Sequence, residues 1–91
     1  PSSVRLAELK TLVRNAATAS EASYVRYNRY VYSQDSLELE VPSDMVYRTL
    51  RATGNGWAIS VFDKKSTLFC VMGVGDAAPA AWGNGMLRCG S

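Results

Sequence analysis

Residues 2–30 run without a glycine or a proline, and their apolar residues recur at helical spacing. At 100° per residue, Leu6, Leu9, Val13, Ala16, Tyr24 and Tyr27 fall on one stripe, with Lys10, Arg14 and Glu21 on the opposite side. Ser2 or Ser3 can cap the start. The pattern predicts a helix over about residues 3–28. Some 25 helical residues span about 37 Å, which is long for a domain of 91 residues. Such a helix must bury one side only, against a surface wide enough to cover it. The stripe turns small through Ala16 and Ser20, so the covering surface can approach closely there.

The rest of the chain has the texture of that surface. "SQDSLELEVPSD" is polar and turn-rich, and reads as a connecting loop over about 31–44 with a short turn in it. Three β-like runs follow, "MVYRTLRAT", "WAISVFD" and "STLFCVMGV". Gly54-Asn55-Gly56 and Asp63-Lys64-Lys65-Ser66 separate them, and both are good hairpin connections. Short connections make antiparallel neighbours. The expected fold is therefore α+β: one long helix packed on a small antiparallel sheet of three to four strands over about 45–75, then a C-terminal loop.

That loop lies between Cys70 and Cys89, the only cysteines. A chain of this length makes one domain with a modest core, marginal unless something staples it. A bridge closing about twenty residues is worth roughly 3 kcal/mol by chain entropy. We therefore expect Cys70–Cys89 to be bonded; two separate buried thiols in a reducing compartment are the alternative.

Little else suggests chemistry. The absence of histidine removes the commonest general base, the Ser-His and Cys-His pairs and most transition-metal sites. Two cysteines this far apart do not match a zinc spacing. Asp35, Glu38 and Glu40 lack the glycine-turned loop of a dedicated calcium site. Gly73-Val74-Gly75 precedes Asp76 and Pro79 rather than a helix, which argues against a phosphate cradle. Ser60 with Lys64 or Lys65 is an ordinary hairpin composition. The expectation is a non-enzyme without cofactor or metal. Ten basic and eight acidic residues are mixed along the chain, so no basic arm or acidic tail appears. One stretch suits binding: "YVRYNRYVY" interleaves tyrosines with arginines, making Tyr24, Arg26, Tyr27 and Arg29 a candidate weak nucleic-acid contact. The competing reading has Tyr24 and Tyr27 continuing the buried stripe.

The order of these segments resembles a type IV pilin. The residues that carry it are Ala17-Thr18-Ala19, Glu21-Ala22 and Tyr30 at the helix end, Gly56-Trp57 opening a strand, Cys70, Val74 to Pro79 ("VGDAAP"), and Cys89. The resemblance covers essentially the whole chain. It implies a structural subunit of an extracellular filament on a bacterial surface, acting by polymerisation in adhesion, motility or DNA uptake. Its partners would be copies of itself or other pilins and the inner-membrane assembly machinery. It further implies an apolar N-terminal helix half that anchors the subunit in the inner membrane and then forms the filament core. That half is not among these residues, so they are expected to form a headpiece that stays monomeric alone. In the family a disulfide ties a C-terminal loop to the sheet, with the loop facing outwards or towards neighbours. Trp82 and Pro79 in that loop are candidate subunit contacts; the other expectation for Trp82 is that it folds back onto the sheet. Three readings stand beside this one: a type II secretion pseudopilin, a minor pilin or secreted module that binds DNA, and a non-pilin secreted binding or inhibitor domain.

Overall fold

A computed structural model describes residues 2–31 and 34–91. Helix α1 spans Ser2–Tyr27. It ends where Asn28 turns left-handed (φ 56°) and its N–H bonds to the Tyr24 carbonyl at 2.8 Å. Asparagine is one of the few side chains that tolerates that conformation at a helix end. A four-residue helix, α2 (Gln34–Leu37), interrupts the connecting segment. Strands β1 (Met45–Ala52), β2 (Trp57–Asp63), β3 (Phe69–Val74) and β4 (Arg88–Gly90) then form one antiparallel sheet in sequential order. The fold is one long helix on a four-stranded antiparallel sheet.

The helix covers one face of the sheet. Leu9, Leu12, Val13 and Ala16 on α1 pack with Met45, Tyr47, Trp57, Ile59, Val61 and Cys70 into a single core. Leu9, Val13, Ile59 and Val61 are wholly buried, each worth about 1.5–3 kcal/mol. Leu37 and Leu39 close the core from the connecting segment. Further along α1 the buried positions are Ser20 and Ser23, whose small side chains allow close approach. The Ser23 hydroxyl donates to the Ser20 carbonyl at 2.7 Å, so its burial leaves no hydroxyl unpaired.

The helical stripe departs from the sequence reading at its C-terminal end. Tyr24 and Tyr27 are exposed (36% and 44%), although a 100° wheel places them with Leu9 and Val13. The core-facing positions there are Ser20, as expected of the stripe, and Ser23, while Tyr24 packs sideways on Tyr30, ring centroids 4.9 Å apart. Glu21 stays exposed, as its place off the stripe implies, yet it also reaches the sheet. Its carboxylate accepts a bond from the buried Trp57 indole N–H at 2.8 Å and from the Tyr30 hydroxyl at 3.0 Å. A buried tryptophan needs a partner for its one donor, and Glu21 supplies it across the seam between helix and sheet.

A second polar tie joins the other end of α1 to the sheet. Asp63 is buried at the end of β2 and receives two bonds from Arg5, at 2.6 and 3.3 Å. Its carboxylate also accepts from the Lys65 backbone N–H and the Ser66 hydroxyl, which fixes the β2–β3 turn. Arg5 reaches Asp44 as well, at 2.9 Å. The Arg5 guanidinium, helped by the turn hydrogen bonds and against the opposing effect of burial, holds the Asp63 carboxyl well below the usual carboxylate range.

Candidate functional site

The C-terminal segment leaves the core at Val74 and returns as the edge strand β4. Cys70 and Cys89 are directly opposed in the β3–β4 register and are joined by a disulfide, with Cα atoms 4.0 Å apart. Cys70 is wholly buried in the core under the helix. The bridge therefore ties the edge strand to its neighbour, and the loop between them is held at its root.

Glycines let the loop lie against the β1–β2 hairpin. A Cβ on Gly56 would stand 2.2 Å from the Val74 carbonyl oxygen, and one on Gly75 (φ 68°) would stand 2.1 Å from the Asn55 carbonyl oxygen. Only glycine permits this backbone contact. Thr53 then donates to the Asp76 carboxylate at 2.5 Å, the Asn84 side chain accepts from the Gly75 N–H at 2.9 Å, and the Gly85 N–H bonds to Gly73 at 2.7 Å. Two short 3-10 turns, Gly75–Ala77 and Ala80–Trp82, carry the apolar side chains, of which Ala77 is buried. The loop is hydrogen-bonded along its length, not a slack tether.

Trp82 folds back towards the sheet. Its ring edge lies 3.3 Å from where a Cβ of Gly73 would be, so the missing side chain on β3 makes room for it. The ring is half-buried, and Pro79 beside it is exposed. The two line one shallow depression with Leu50, Arg51, Ala58 and Ala78. Trp82 thus packs on its own sheet and still presents surface at the rim.

The tyrosine–arginine segment is arranged differently from a stacking platform. Arg26 pairs with Glu38 at 3.3 Å and lies over the Tyr27 ring at 6.0 Å, while Tyr24 packs on Tyr30. Burial, then the bond to Glu21, pushes the Tyr30 hydroxyl pKa up. Arg29 is exposed. Tyr32 and the side chain of Asp35 lie outside the described residues. Glu38 is engaged with Arg26, and Glu40 lines a groove with Val4, Ala7, Thr11 and Pro42 along the outer side of α1. Lys64 donates to the Ser43 carbonyl at 2.9 Å, which directs it to the β1 end of the turn and away from mid-strand Ser60. Among the described residues no cluster of three or more metal-ligating side chains occurs, and no helix is long and apolar enough to cross a membrane.

No protein-family model matches the sequence, and no curated protein matches it significantly.

The surface that sequence reasoning missed is the sheet face turned away from the helix. Register places Arg48, Ser60, Val71 and Arg88 in one row across all four strands. The adjacent row is Val46, Phe62, Phe69 and Gly90. Phe69 is 40% exposed, and Arg48 lies over the Phe62 ring at 5.8 Å. The alternation in "WAISVFD" separates these residues from the core, but only the pairing register brings Arg48 and Arg88, forty residues apart, onto one row.

Proposed function

We propose that this chain is the headpiece of a type IV pilin and works as a structural subunit of an extracellular filament. The observation that carries the reading is the combination of a long helix on a sequentially ordered antiparallel sheet with a disulfide closing the C-terminal region. The sequence resemblance names the same parts in the same order. A covalent tie at the edge strand suits a small domain that persists in an oxidising space outside the cell. The hydrogen-bonded loop with Trp82 and Pro79 at its rim is a firm surface for a neighbouring subunit, since a rigid apolar side chain with one donor makes a good interface anchor. In this reading the chain performs no reaction and its partners are further pilin subunits.

The test is fractionation of the source cells. Surface filaments sheared from the cells should contain this chain, with Cys70 and Cys89 oxidised, by peptide mass analysis without reduction. Recovery of the chain only from the cytosol with two alkylatable thiols would overturn the proposal.

A further inference from the structure

The tripeptide Gly-Asn-Gly occurs twice, as Gly54-Asn55-Gly56 at the tip of the β1–β2 hairpin and as Gly83-Asn84-Gly85 in the C-terminal segment. An asparagine followed by glycine carries its own reaction. The next backbone nitrogen can close a five-membered imide on the side-chain amide carbon, and glycine has no side chain to hinder the approach. That nitrogen must first lose its proton to base. A hydrogen bond on the N–H therefore holds the reaction back, as it does amide exchange. Both asparagines are exposed and their flanking residues are the same, so the hydrogen bonds separate the two sites.

At Asn84 both reacting groups are held. The Gly85 N–H donates to the Gly73 carbonyl at 2.7 Å, and Asn84 Oδ1 accepts from the Gly75 N–H at 2.9 Å. At Asn55 the turn is closed by other atoms. The Asn55 N–H donates to the Thr53 hydroxyl oxygen at 3.1 Å, and the Thr53 N–H donates to the Gly56 carbonyl at 2.8 Å. The Gly56 N–H and the Asn55 side-chain amide enter no hydrogen bond among the described residues. Gly56 is buried from its Cα side, where Val74, Asp76 and Ala77 pack. A backbone donor without an acceptor in the chain is met by water, which brings base to it.

We propose that Asn55 is a site of spontaneous modification in the folded chain and that Asn84 is protected. The Gly56 nitrogen, deprotonated by hydroxide, bonds to the Asn55 side-chain amide carbon. The bond from that carbon to Nδ2 breaks, and ammonia leaves with a proton returned from water. A water molecule then opens the imide. Opening at the side-chain carbonyl gives aspartate on an unaltered main chain. Opening at the main-chain carbonyl gives isoaspartate, in which the chain runs through the side chain and the former Asn55 carbonyl becomes a free carboxylate. That carbonyl is the one seated on Gly75, where a Cβ would stand 2.1 Å from its oxygen. An added charge and a lengthened main chain at this contact part the hairpin tip from the C-terminal segment. The isoaspartate form therefore has a loosened segment and the aspartate form does not. None of this depends on filament assembly.

The experiment is incubation of the oxidised, folded chain at mildly alkaline pH, with peptide mass analysis at intervals against synthetic aspartate and isoaspartate peptides. The need to open two hydrogen bonds should make Asn84 react about tenfold or more slowly than Asn55. In the reduced chain unfolded in urea the two should react at similar rates. The isoaspartate form, separated by chromatography, should exchange the Gly75 and Gly85 amide hydrogens faster than the parent. Asn55→Asp should exchange them as the parent does. Equal rates at the two sites in the folded chain, or faster reaction at Asn84, would overturn the proposal. So would a folded chain that keeps both asparagines while the unfolded chain loses them. Slow exchange in the isoaspartate form, or equal loosening in Asn55→Asp, would overturn the effect assigned to the lengthened main chain.

Discussion

The two faces of the sheet differ by one residue of register and by everything that follows from it. On the covered face Ile59, Val61 and Cys70 lose all contact with solvent beneath α1, and the one acid there, Asp63, is met by Arg5. On the open face the alternate residues of the same strands include two half-exposed or exposed phenylalanines and two arginines without carboxylate partners. Both faces contain aromatic and aliphatic side chains, so hydrophobicity alone does not tell them apart. The handling of charge does. The Asp63 charge on the covered face meets Arg5, whereas Arg48 and Arg88 on the open face meet a ring and a carbonyl but no carboxylate among the described residues.

The largest contrast should appear in stability. Ile59→Ala removes wholly buried volume and should cost about 2–5 kcal/mol, against about 1 kcal/mol or less for Val71→Ala on the open face. Denaturant unfolding of both variants checks this, and equal losses would erase the distinction between the faces. Next in size is the disulfide. Replacing Cys70 and Cys89 by alanine should cost about 3 kcal/mol, read as a lower denaturation midpoint with little change in the native far-ultraviolet circular dichroism. A variant as stable as the parent would mean that the edge strand needs no tie.

The buried acid gives a smaller effect, with a definite sign. Because Asp63 titrates below the ordinary carboxylate range in the folded chain, its ion pair contributes stability above the unfolded carboxylate value near pH 4. That contribution is lost as pH falls towards the folded value. Asp63→Asn should therefore lower the melting temperature at pH 7 and flatten its decline between pH 5 and pH 2. An unchanged acid limb would show that Arg5 and Asp63 do not couple the helix to the sheet. The smallest effect belongs to the open face, where Arg48→Gln should change stability by no more than about 0.5 kcal/mol. A loss like that of Ile59→Ala would assign Arg48 to the fold.

The legible parts of this fold were the periodic ones. The helix, the three longer strands and both hairpins could be read because apolar spacing and turn residues are local signals. Strand β4 was hidden inside the expected loop, since three residues ending in Cys89 and Gly90 carry no period and pair only through β3. Tyr24 and Tyr27 misled because a helical wheel does not know where the sheet ends; the buried stripe stops at Ser20 and Ser23. The links from Glu21 to Trp57 and from Arg5 to Asp63 span 36 and 58 residues, and nothing local announces such pairs. Trp82 could be narrowed to two fates, and the structure has a part of each: Gly73 leaves room for the ring above β3, and the ring stays only half-buried.

Hydroxyl-radical footprinting of the oxidised chain, read residue by residue by mass spectrometry, measures the two faces side by side. The account predicts that Phe62 and Phe69 are modified readily while Trp57 and Met45 on the covered face are protected. Protection of both phenylalanines to the level of Trp57, in a chain that sizes as a monomer, would contradict it.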